Sequence, residues 1–68
     1  MTGAEMRYMI TVESEQGVFE SENTFWTDTP RNYDALLTYL ESSVPKNLQI
    51  HAFDRNGPPC YIRNQEAA

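Results

Sequence analysis

A single cysteine, Cys60, excludes an internal disulfide, the usual brace of small secreted domains, and favours a reducing cytoplasm. A lone cysteine of this kind is expected to serve as a small buried hydrophobe. His51 is the only histidine, so the chain holds two nitrogen or sulfur ligands where zinc takes four. Gly3, Gly17 and Gly57 stand apart from one another, which excludes a glycine-rich loop for phosphate. No apolar run approaches the roughly 20 residues needed to cross a membrane. The N-terminus has no basic start followed by an apolar stretch, so no secretory signal is expected. Five lysines and arginines against ten acids argue against direct contact with nucleic acid or anionic lipid, since both present phosphates.

Acidity is what the chain has instead, and it is unevenly spread. Between Tyr8 and Pro30 lie Glu13, Glu15, Glu20, Glu22 and Asp28, with no lysine or arginine. Elsewhere Glu5, Asp34, Glu41, Asp54 and Glu66 balance Arg7, Arg31, Lys46, Arg55 and Arg63. A local excess of one sign attracts partners of the other sign and repels its own. Eight aromatics in 68 residues supply enough large side chains for one small core, so a single ordered domain is expected. Residues 1–5 and 64–68 carry little that could anchor them and are expected to fray.

Hydrophobic period divides the chain into four strands and a helix. Arg7 to Glu13 alternates, with Tyr8, Ile10 and Val12 opposite Met9, Thr11 and Glu13. Glu15-Gln16-Gly17 supplies a turn, and Val18 to Thr27 a second strand. Its inward face would carry Phe19, Ser21, Asn23 and Phe25, and the two polar residues there suggest an edge strand with a bulge. Thr29 caps a helix opened by Pro30, with Asp34 near the positive end of its dipole. Tyr33, Leu36, Leu37, Leu40 and Val44 form its apolar stripe, and Pro45 ends it. Leu48 to Phe53 alternates again, Asp54-Arg55-Asn56-Gly57 reads as a hairpin turn, and Pro58-Pro59 delays an edge strand from Cys60 to Arg63.

The expected fold is α+β, one helix packed on a four-stranded, mostly antiparallel sheet in the order β-β-α-β-β. A helical crossover would set the third strand parallel to the first, with sheet order 2-1-3-4. With the hairpin Arg7–Thr27, the helix Pro30–Ser43 and the strand Leu48–Phe53, this order of elements resembles the β-grasp layout of ubiquitin-like proteins. Modifiers of that family end in a glycine pair, whereas this chain ends Asn64-Gln65-Glu66-Ala67-Ala68. Conjugation is therefore not implied.

A search for chemistry finds no catalytic constellation. His51 and Cys60 are expected on opposite faces of the sheet, with no third group to orient the imidazole. Glu13, Glu15, Glu20 and Glu22 lack the spacing and central glycine of a calcium loop. Glu20 and Glu22 used as a carboxylate pair would need a substrate cleft, for which so small a fold has little room. No cofactor, metal or catalytic residue is expected.

What remains is a surface. If the helix covers Tyr8, Ile10, Val12, Leu48, Ile50 and Ile62, the opposite sheet face carries Met9, Trp26, Phe53 and Tyr61 among Thr11, Glu13, Glu20, Glu22, His51 and Arg63. Exposed aromatic and methionine clusters are the material of interface hot spots, and carboxylates around them steer a basic partner. The same glutamates also keep a small protein soluble and block edge-to-edge aggregation. The expected function is a non-enzymatic protein-binding module, with Glu13, Glu15, Glu20, Glu22, Trp26, Asp28, Phe53 and Tyr61 as partner-binding residues. Its partner would be a protein with a basic, nucleic-acid-binding surface, met by a monomer or homodimer. In size, charge and lack of motifs the chain resembles small acidic phage-encoded inhibitors, anti-CRISPR and other anti-defence proteins among them. The alternative is a structural or accessory subunit, joined through its open sheet face or its strand edges.

Overall fold

The computed structural model describes residues 6–63, so the fraying expected of both tails lies outside the described residues. It shows β1 (Tyr8–Glu13), β2 (Phe19–Thr27), α1 (Pro30–Ser43), β3 (Ile50–Asp54) and β4 (Pro59–Arg63), with sheet order β2-β1-β3-β4. The fold is thus α+β, with one helix and a four-stranded sheet.

The hairpin joining β1 to β2 closes where expected. Gly17 takes φ +84°, the left-handed region glycine enters without a Cβ penalty, and its N–H donates to the Ser14 carbonyl at 2.9 Å. Thr29 caps the helix, its hydroxyl accepting from the Asn32 N–H at 3.1 Å, and Pro30 occupies the first turn. No acid lies in that turn. Asp34 sits too far along to complement the dipole, and the acid near the helix start is Asp28, whose carboxylate accepts from the Asn32 side chain at 3.3 Å.

One expectation about direction is overturned. β3 pairs with β1 antiparallel, Ile10 opposite Ala52 and Val12 opposite Ile50, so every pairing in the sheet is antiparallel. The crossover rule relates the two strands that flank the helix, which are β2 and β3. Because β2 already runs against β1, a β3 parallel to β2 must also run against β1. The helix, about 21 Å long, returns the chain to the hairpin end, and β1 fills the gap between the strands it connects.

The core lies between α1 and the central strands. Ile10 and Ile50 are fully buried, joined by Val12, Leu40 and Ala52, with Tyr33, Leu36, Leu37, Val44 and Tyr61 packed around them. Burying each of the two isoleucines contributes about 1.5–3 kcal/mol. Tyr8 stacks on Tyr33 at 4.8 Å between ring centroids, which extends the core towards the helix start.

At the far end the helix has no basic residue in its last turn, and Val44 turns extended ahead of Pro45. Arg63, reaching across from β4, supplies the missing donors. Its guanidinium donates to the carbonyls of Glu41 (3.2 Å), Val44 (3.2 Å), Pro45 (2.6 Å) and Leu48 (3.0 Å). Those oxygens are the acceptors a helix terminus leaves without intrahelical partners, plus those of the following loop.

Replacing Arg63 should therefore destabilise the fold as a core substitution would. Arg63→Ala is expected to lose about 2–3 kcal/mol, on the scale of hydrogen bonds to a charged group, measured by urea denaturation. Arg63→Lys should recover only part of it, since one ammonium cannot span four carbonyls. A loss under about 0.5 kcal/mol, typical of a surface substitution, would contradict the capping role.

Candidate functional site

The register decides which residues face away from the helix. Trp26, Met9 and Phe53 lie opposite one another across β2, β1 and β3, forming a row perpendicular to the strands. The next row holds Thr24, Thr11, His51 and Ile62. No element of the described chain covers this face, as befits a single-layer antiparallel sheet. Trp26 is 46% exposed and Phe19 41%, while Met9, Phe53, His51 and Ile62 are half-buried among their neighbours.

Two strands place their residues differently from the expected alternation. Between the pairs Thr11–Thr24 and Glu13–Phe19, β1 advances by two residues and β2 by five. That odd difference turns Phe19 from the helix side to the open side. Its ring meets His51 at 4.5 Å, and His51 meets Phe53 edge-on at 6.2 Å. Phe19 thereby packs beside the middle row, where Thr11 is only 7% exposed. Beneath it the Thr24 hydroxyl donates to the Glu20 carbonyl at 2.8 Å. The Thr11 hydroxyl then donates to Thr24 at 3.0 Å.

β4 corrects the second expectation. Its register shifts opposite Ala52 and Phe53, where Pro59 has no N–H to donate, and Tyr61 pairs with Ala52 and Arg63 with Ile50. Tyr61 and Arg63 consequently face the helix and Ile62 faces away, the reverse of the expected placement. Tyr61 packs against the core, and its hydrogen bond to Glu41 holds its phenol above the ordinary pKa. It leaves the candidate surface. Cys60 is exposed rather than buried. His51 lies on the open face as expected, but its Nε2 is bonded to the Gln49 side-chain oxygen at 2.8 Å and its strand partner is Ile62, not Cys60.

The acids of the Tyr8–Pro30 window do not act as one group. The Glu13 carboxylate accepts from the Gln49 N–H at 3.0 Å, and the Glu13 N–H donates to the Gln49 carbonyl at 2.9 Å. That side chain straps the entry of β3 to β1. Asp28 is held at the helix start, at the other end of the molecule. Glu15, Glu20 and Glu22 are exposed, Glu15 in the hairpin turn and the other two on the β2 bulge, next to Phe19.

Register also orders charge along the strands. The hairpin end, with the helix C-terminus, holds Glu13, Glu15, Glu20, Glu22 and Glu41 against Lys46 and Arg63. At the opposite end Arg7, Arg31 and Arg55 balance Asp28, Asp34 and Asp54. There the Arg7 guanidinium grips Asp54 through both carboxylate oxygens (2.9–3.2 Å), and Arg55 lies 5.8 Å from the Trp26 ring centroid. The open face thus carries apolar side chains at both ends of a mostly polar middle row, and it is anionic at one end and neutral at the other.

A depression of about 400 Å³ lies at the anionic end, between the hairpin and the loop after the helix. Val12, Val44, Pro45 and Leu48 line it together with Glu13 and Glu15. Among the described residues no three or more histidine, cysteine or acidic side chains converge as a metal site would require. No described helix is long and apolar enough to cross a membrane.

Comparison with family models, with curated proteins and with solved structures returns no match.

The Arg7–Asp54 pair makes a pH prediction. Its hydrogen bonds from Arg7 hold the Asp54 carboxyl below the ordinary range. A depressed folded-state pKa contributes stability that is complete above the unfolded value, about pH 4, and is lost as pH falls through the folded value. Asp54→Asn should therefore lower stability modestly at neutral pH and converge with the wild type as pH falls below about 4, which flattens the acid limb, measured by urea denaturation at a series of pH values. An unchanged acid limb would show that the pair carries no linkage.

Proposed function

We propose that the protein is a non-enzymatic binding module, most concretely a small acidic inhibitor that occupies a basic, nucleic-acid-binding surface of its target. The observation that carries this reading is the position of exposed Glu20 and Glu22 in β2 near Phe19, at the acidic end of the uncovered face that also bears Met9, Trp26 and Phe53. Carboxylates there would stand where phosphates otherwise sit, and the aromatic and methionine side chains would supply contact area. Inhibitors of this type include phage anti-defence proteins such as anti-CRISPRs. A chain with one cysteine suits a reducing compartment such as the cytoplasm.

A structural or accessory subunit is the second reading, and the unequal sheet edges favour a particular version of it. β2 is guarded by its bulge and glutamates, whereas β4 turns its only charge, Arg63, inward onto carbonyls. Assembly would then proceed through β4. Sedimentation separates the two readings: a monomer supports the inhibitor, and a stable oligomer the subunit.

The direct test immobilises the protein and captures partners from a host lysate at low salt. Bound protein should be released by raising salt and by adding duplex DNA, and should be lost with Glu20→Lys/Glu22→Lys. Exposed charges are screened over about 10 Å at 0.1 M salt and about 3 Å at 1 M. Capture indifferent to salt, DNA and charge reversal would overturn the proposal.

A further inference from the structure

The open face and the charge axis together define what fits. Resting on the binding-module reading above, we infer that this face receives an amphipathic helix of the partner in one polarity. Its apolar stripe would lie on Trp26, Met9, Phe53 and Phe19, with its lysine- and arginine-rich end over Glu15, Glu20 and Glu22.

Charge complementarity selects this occupant. Glu20 and Glu22 lie in β2 near Phe19 at the hairpin end, with Glu15 in the adjoining turn, whereas the charges of the other end balance. A partner basic at one end gains attraction there, and the reversed orientation forfeits it at the neutral end. A uniformly basic surface would gain nothing at the neutral Trp26 end. Nucleic acid, which also stacks on aromatic sheet faces, is disfavoured by the same carboxylates.

Dimensions agree. Along the charge axis the six residues of β1, at about 3.4 Å each, give some 20 Å, which about 13 helical residues would span. A second copy of this chain fits less well. Two such faces would set an anionic end against a neutral end or a second anionic one, without a basic counterpart.

Trp26, the chain's only tryptophan, reports on this face alone, since Tyr8, Tyr33 and Tyr61 lie on the helix side. The probe is a synthetic helical peptide of about 14 residues with a leucine stripe and lysines gathered at one end. One control replaces its lysines with glutamates; another is an oligolysine without leucine. The leucine–lysine peptide should shift Trp26 emission to the blue and saturate, and both controls should bind at least about tenfold more weakly, or about 1.4 kcal/mol. Phe53→Ala and Glu20→Lys/Glu22→Lys should each weaken binding by a similar factor, and Tyr39→Ala, on the exposed helix side, should not.

Should Phe53→Ala fail to fold, amide shifts of the wild-type protein give the same answer, changing at Met9, Trp26, His51, Phe53 and Ile62. A spin label at the basic end of the peptide should broaden Glu15 and Glu20 rather than Arg55. Equal binding of oligolysine, shifts confined to the helix, broadening at Arg55, or concentration-dependent self-association through Trp26 that the peptide does not compete would each overturn the inference. Salt- and DNA-sensitive capture that survives Phe53→Ala would leave the acidic-inhibitor reading standing and remove this one.

Discussion

The guanidinium of Arg63 is the interaction on which the arrangement of this molecule turns. A helix that stops at a proline, with no basic residue in its last turn, ends in carbonyls that need donors. Arg63 provides them from the last strand, so β4 must present position 63 to the helix. Strand alternation then carries Tyr61 inward with it and sends Ile62 outward. One side chain thus ties the last strand to the helix end and to the loop before β3. It also offsets the negative pole of the helix dipole where the chain is most acidic.

With β4 fixed in this way, the two sides of the sheet use different aromatics. The helix side takes the tyrosines, Tyr8 stacked on Tyr33 and Tyr61 bonded to Glu41. Their rings fill the margin of a small core while their hydroxyls remain near solvent or a polar partner. Phe19, Trp26 and Phe53 lie on the other side, where no layer covers them. The β2 bulge serves both stability and the surface. Its glutamates blunt an edge that could otherwise recruit another strand, and the shift it introduces brings Phe19 to the open side against His51. Protection of the edge and construction of the acidic border are one structural event.

Much of this was legible from residue order. The period-two and period-3.6 patterns, Thr29-Pro30 at the helix start, Pro45 at its end and Gly17 in the turn each mark a local constraint, and each element formed where its pattern lies. The row Trp26–Met9–Phe53 followed from alternation in regular strands. Alternation failed where a strand slips. A bulge in β2 and a proline at the start of β4 change the facing of Phe19, Tyr61, Ile62 and Arg63, and the size of a slip is decided by distant pairing. Hydrophobicity also misled at β4, because it favours isoleucine inside and arginine outside, whereas four carbonyls of the helix end and the loop after it select the arginine. The direction of β3 depended on recognising β2 and β3, not β1 and β3, as the strands joined by the helix. The acidic window was visible as composition, but Glu13 bound to Gln49 and Asp28 held at the helix start emerge only in three dimensions.

The most direct measurement concerns the free protein. A soluble paramagnetic agent added to a dilute, isotope-labelled sample broadens the signals of side chains in proportion to their access to solvent. The two-sided architecture requires Trp26 and Phe19 to broaden strongly while Ile10, Ile50 and Leu40 are spared, with the same pattern on further dilution. Equal sparing of Trp26, Phe19 and the buried isoleucines would mean that this face is covered, and the account of an open contact surface would be wrong.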